Sequence, residues 1–273
     1  MLHRSRRMMA LVAGVGLVAL LVGAGRPQPA VVPSEVPTPA VPASSQPAVG
    51  VNLATVPADR KDAWWVERFE SITERAKQGD VGIVFMGDSI TQGWEGAGKD
   101  VWAAKYASRK AMNCGIGGDR TQQLLHRIQN GNVEGLDKPV KDGAATPKLV
   151  VMMIGTNNSN KDDFTAAQIA EGVKMCLDTT KAKLPQAKVL LLGIFPRGEK
   201  PDAQRDKIKA TNEILKTFGD NRVTYLDIGA KFTGEDGTIS KDVMPDFLHL
   251  SAKGYQIWAD AIEPSVKQLL GES

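Results

Sequence analysis

The sequence predicts an α/β domain built on a parallel sheet covered on both faces. Three observations carry that expectation. Five short apolar runs recur between residues 81 and 228, stretches of helical spacing separate them, and the first three runs end on glycine. Runs that are apolar throughout, rather than alternating, belong to strands buried on both faces, as in sheets sandwiched by helices.

The elements follow in order. "DAWWVERFESITERAKQGD" (62–80) sets Trp65, Phe69 and Ile72 at helical spacing, and Gly79 ends that helix. "VGIVFM" (81–86) is the first strand. A helical pattern near 99–107 leads to the second, "KAMNC" (110–114), and one near 119–129 to the third, "KLVVMMI" (148–154). Helices near 165–183 and 202–218 flank the fourth, "AKVLLLGIF" (187–195), and "RVTYLDI" (222–228) is the fifth. A last helix covers 252–270. In open parallel sheets ligands bind outside the carboxyl ends of the strands, so function is to be sought just after each run.

Ahead of this lie two segments of different texture. Residues 1–25 carry Arg4, Arg6 and Arg7 and then an uncharged apolar run, the pattern of a signal peptide or an N-terminal membrane anchor. An exported protein is expected from either: periplasmic, secreted or envelope-anchored. Residues 26–58 are a Pro/Ala-rich linker, too poor in large apolar groups to build a core. The remaining 59–273 form the folded domain. The net charge of +3 is misleading, because residues 1–30 hold four arginines and no acid; a near-neutral body has no electrostatic footprint for nucleic acid. Two cysteines, Cys114 and Cys176, cannot make a disulfide scaffold and read as buried thiols, with pairing left open.

The strand ends carry the chemistry. Gly87-Asp88-Ser89 follows the first strand, Gly115-Ile116-Gly117-Gly118-Asp119 the second, and Gly155-Thr156-Asn157-Asn158 the third. "MPDFLHLSAKGY" puts Asp246 three residues before His249. Taken singly, Ser89 reads as a helix cap and the glycines and Asn157 as turn residues. Together they supply what acyl-ester hydrolysis needs: a hydroxyl nucleophile, a base, an orienting carboxylate and oxyanion donors. The chain has three histidines; His3 lies in the export segment and His126 on a helix, which leaves His249 as the base. No His/Cys cluster has ligand spacing, so no metal or cofactor is expected.

"GDSIT", "GIGGDRT", "GTNN" and "DFLHLS" resemble, in order and spacing, the four blocks of the SGNH (GDSL-type) hydrolases, nearest to the branch of platelet-activating-factor acetylhydrolase catalytic subunits. The resemblance spans roughly residues 60–270 and implies a flavodoxin-like three-layer α/β/α sandwich with a five-stranded parallel sheet. It also implies Ser89, Asp246 and His249 as a catalytic triad, and the Ser89 amide, the Gly118 amide and the Asn157 side chain as the oxyanion hole. Two departures stand out: Ile90 where the first block has leucine, and Cys114 where relatives carry a larger apolar residue. With no long apolar insertion to form a lid, the expected substrate is a short-chain, above all acetyl, ester of a carbohydrate or lipid. The 96–100 loop, Arg120 and Arg197 could line a polar rim. The alternative is a non-catalytic glycan-binding domain on the same fold. A nucleotide site on "GIGGD" is disfavoured, since it lacks the third glycine of the dinucleotide fingerprint and the P-loop ending.

Overall fold

The computed structural model describes residues 50–273. The expected segments at 1–25 and most of the linker lie outside the described residues. Five strands, β1 (Ile83–Gly87), β2 (Ala111–Gly115), β3 (Leu149–Met153), β4 (Lys188–Leu192) and β5 (Val223–Leu226), form one sheet in the order β2-β1-β3-β4-β5, with every pairing parallel. The helices are α1 (Ala63–Lys77), α2 (Ser89–Gln92), α3 (Lys99–Lys105), α4 (Thr121–Gln129), α5 (Ala166–Lys183), α6 (Ala203–Leu215) and α7 (Ala252–Leu270).

Side chains alternate across the sheet, as a period of two requires. Val84, Met86, Val150, Met152, Val189 and Leu191 join a core with α1, α4, α5 and α6. Ile83, Phe85, Val151, Met153, Leu190 and Leu192 join a second core with Trp94, Tyr106 and the α7 residues Tyr255 and Trp258. Two apolar layers around one sheet make the three-layer sandwich. Local caps set where the helices start: Thr165 accepts from the Gln168 N–H while the Gln168 side chain returns to the Thr165 N–H, and Ser251 accepts from Gly254 at the head of α7.

The strands match the expected runs; β1 and β2 each run one residue further, to Gly87 and Gly115, and the last three stop earlier. The fourth ends at Leu192 rather than at residue 195; the Gly193 N–H makes the last bond to β5, to the Leu226 carbonyl (3.0 Å), and the residues after it leave the ladder. The linker also ends sooner than residue 58. Ala54 is wholly buried, its carbonyl accepts from Thr121 Oγ1 (2.7 Å), and Asn52 Nδ2 donates to the Gln168 carbonyl (3.0 Å). The approach depends on Gly172, where a Cβ would lie 2.6 Å from the Ala54 oxygen. Composition reads this stretch as solvated spacer; paired backbone groups and one small side chain let it dock.

The chain runs from β1 outward to β2 and then back across β1 to β3, so the strand order reverses at the β1/β3 boundary. A crevice opens there at the carboxyl ends. Ser89 follows β1 and Asn157 follows β3.

Candidate active site

Ser89 opens α2 two residues beyond β1. Asp88 is the cap: its Oδ1 accepts the Ile90 N–H (3.0 Å), which leaves the Ser89 hydroxyl free of capping. Gly87 is required by packing rather than torsion. Its φ is not left-handed, but a Cβ there would meet Thr91 Oγ1 at 2.2 Å and the Met153 carbonyl at 2.5 Å. Glycine therefore lets the turn of α2 press against β3.

The loop before α7 brings His249 to this point. His249 Nε2 lies 2.9 Å from Ser89 Oγ, and Nδ1 lies 2.6 Å from Asp246 Oδ2. Asp246 Oδ1 accepts the N–H groups of Leu248 (3.1 Å) and His249 (2.7 Å). Phe247 bends the loop with φ 60°, a left-handed conformation that a bulky residue seldom adopts. Partial burial pushes the Asp246 carboxyl up, but the three hydrogen bonds from His249 and Leu248 outweigh it and hold the group below the usual carboxylate range. An ionised carboxylate only accepts, so Nδ1 carries the proton and Nε2 presents a lone pair to the serine hydroxyl.

Candidate donors follow the ends of β1, β2 and β3. Gly118 is exposed and sits at φ 73°, where a side chain would be strained. Among the described residues neither the Ser89 nor the Gly118 N–H has an acceptor. Asn157 uses one amide hydrogen to hold the Asp119 carbonyl (2.9 Å), which ties it to the Gly118 loop and leaves the other hydrogen free. Asn158 is buried and structural, bonded to Thr121 and Gln122. Ser89, His249 and Asp246 are thus joined by hydrogen bonds, and Asn157 is tied to the Gly118–Asp119 loop, whose Gly117 lies beside Ser89. His126 is not among them; it packs beside Trp65 and Phe69 on the α1 side. Arg120 pairs with Asp163 (2.7 Å), and half-buried Arg197 donates to Thr156.

Arg127 and Trp65 support the crevice from behind; helical spacing marked Trp65, but nothing in the sequence marked Arg127. Arg127 is wholly buried and donates to Asp119 Oδ2 (2.7 Å), the Cys114 carbonyl (2.9 Å) and the Gly87 carbonyl (3.1 Å). Trp65 Nε1 donates to Asp119 Oδ1 (2.7 Å). Asp88 is also wholly buried, and its Oδ2 has no partner among the described residues. Burial pushes its carboxyl up to about 7, with nearby Asp119 adding to the effect and the Ile90 N–H, His249 and Arg197 opposing it.

The chain is similar to known proteins. The GDSL-like lipase/acylhydrolase family model matches residues 85–257. The chain is 34% identical over 213 residues to platelet-activating factor acetylhydrolase IB subunit alpha1 of Homo sapiens, covering 77% of this chain and 86% of that protein. It is 32% identical to the alpha2 subunit of Rattus norvegicus, covering 81% of this chain and 93% of that one. Among solved structures, a GDSL-like lipase from Bacteroides thetaiotaomicron (TM-score 0.56, 20% identity, covering 74% of this chain and 97% of its own) has the same fold. So does an acetylxylan esterase from Geobacillus stearothermophilus (TM-score 0.53, 18% identity, covering 71% and 95%). With the family model spanning most of the domain and the crevice at its expected strand ends, the chain belongs to the GDSL-like lipase/acylhydrolase family and is a carboxylic ester hydrolase.

Proposed function

We propose that this hydrolase removes short acyl groups, acetyl above all, from carbohydrate esters, with Ser89 as nucleophile, His249 as base and Asp246 as the orienting carboxylate. The observation that carries the reading is the continuous chain Asp246–His249–Ser89, with contacts of 2.6 and 2.9 Å. Ser89 Oγ attacks the ester carbonyl as His249 Nε2 takes its proton. The tetrahedral oxyanion accepts from the Ser89 and Gly118 N–H groups and from Asn157 Nδ2, donors already oriented before charge develops. His249 then protonates the leaving alcohol. Water repeats the sequence on the acyl-enzyme, and the acid leaves.

The names of the relatives support acetyl as the acyl group, since acetylhydrolase and acetylxylan esterase share it while differing in the alcohol. The basic, apolar N-terminal sequence supports action outside the cytoplasm, where glycan esters are the more accessible class. Ser89→Ala should abolish hydrolysis of 4-nitrophenyl acetate, and an organophosphonate probe should label wild-type Ser89 stoichiometrically. Residual turnover above background in Ser89→Ala would overturn the assignment.

A further inference from the structure

We propose that Trp64 and the backbone of Gly117 form a saccharide subsite beside Ser89 that takes the uncharged pyranose ring of an acetylated oligosaccharide. The proposal deepens the esterase reading and rests on it.

Adjacent tryptophans open α1 with opposite fates. Trp65 is buried, while Trp64 leaves 48% of its surface exposed. A large exposed aromatic is a common anchor for recognition, and this one stands at the crevice. A methyl group placed on Gly117 would lie 3.8 Å from Ser89 Cβ and 4.0 Å from Trp64 Cη2, so Gly117 floors a slot between the two. The backbone at 117 is not left-handed, and the methyl's tightest contact would be 3.3 Å to Gln92 Oε1, a side-chain atom that accepts the Gly117 N–H (2.7 Å). Neither torsion nor backbone packing demands glycine here. What the missing side chain leaves is room next to the hydroxyl.

Charge indicates what fills that room. The Arg60 guanidinium covers one indole face at 4.8 Å, donates through Nη1 to the Gly117 carbonyl (3.1 Å) and is neutralised by Asp62 (2.9 Å). Arg68, which holds the Gly115 carbonyl, is paired with Glu95 (2.8 Å), and Arg120 is paired with Asp163 (2.7 Å). Each arginine along the Gly115–Arg120 side is therefore already matched by a carboxylate, and a phosphate would have to displace one. A sugar ring has an apolar face to stack on the remaining indole surface and hydroxyls to meet the polar rim.

The test compares kcat/KM of the full chain on 4-nitrophenyl acetate, an acetylated xylo-oligosaccharide and a 2-acetyl glycerophosphocholine. Trp64→Ala should lower the oligosaccharide value about tenfold through KM, the size of one aromatic contact, with 4-nitrophenyl acetate nearly unchanged. Trp64→Phe should restore most of the loss. Gly117→Ala fills the slot instead of removing its wall, and should lower the ratio of oligosaccharide to 4-nitrophenyl acetate turnover. Three outcomes would overturn the subsite: an unchanged ratio in both variants, an equal loss on all three esters, or a loss confined to the phosphocholine ester. Failure of the esterase reading shows separately, as a wild-type protein inactive on every ester.

Discussion

Arg127 and Asp119 form an ion pair at 2.7 Å in which neither side chain reaches solvent, directly behind the loop that presents Gly118. The guanidinium also holds the Gly87 and Cys114 carbonyls, so one side chain joins the ends of β1 and β2 to the donor loop. Removing one partner of a buried pair leaves an uncompensated charge. Arg127→Met should cost about 3–5 kcal/mol in urea unfolding. The double variant Arg127→Met/Asp119→Asn should recover part of that. A single-variant cost near zero would show that the pair does not hold the loop.

In the proposed mechanism Asp246 acts on chemistry through His249. With Asp246→Asn the side chain no longer selects the tautomer that exposes Nε2, and kcat should fall by about four orders of magnitude. Thermal unfolding should barely move, because the residue is exposed on its loop. A loss below tenfold would mean that the Leu248 and His249 backbone contacts, not the carboxylate charge, are what matter.

Asn157→Ala tests the proposed side-chain donor to the oxyanion. It removes the free amide hydrogen and also the bond to the Asp119 carbonyl. The expected loss is about 100- to 1,000-fold in kcat with KM little changed. A rise in KM alone would mean that Asn157 binds the ground state.

Asp88 makes stability depend on pH. Its carboxyl, raised from 3.8 to about 7, keeps its proton longer in the folded state than in the unfolded one. Between those values the folded protein binds more protons, so this contribution is greatest in acid and is lost as pH rises through about 7. The full swing is at most about 4 kcal/mol. Urea unfolding of wild type and Asp88→Asn at pH 5 and pH 8 isolates it: the variant should gain on wild type at the higher pH. Parallel pH profiles would place the buried charge elsewhere.

Cys114 and Cys176 are free and buried, and burial pushes both thiols up to about 12. Thiols so protonated and enclosed should not react with a disulfide reagent in the native protein, and both should react after unfolding. Fast native labelling would contradict the packing around β2 and α5.

Much of the molecule was legible in order. Strands buried on both faces announce themselves as apolar runs, and Ser89, Gly118 and Asn157 follow three of them because turns are local. Asp246 and His249 were legible as a pair because three residues separate them. Three features were not. Arg127 carries the same letters buried as it would in solvent. Helical spacing turns Trp65 inward, but that Trp64 meets the Gly117 loop depends on how α1 packs beside β2. Ala54 docks because Gly172, on a distant helix, makes space for its carbonyl.

Local sequence thus determined the elements, the strand-end residues and the three-residue step from Asp246 to His249. The tertiary structure decided what those residues meet. The reversal of strand order at β1 and the bend at Phe247 carry an imidazole across 160 positions of chain to within 2.9 Å of a hydroxyl. The physical reason is range: turns and periodicity act over a few residues, whereas a hydrogen bond between distant segments depends on how whole layers pack.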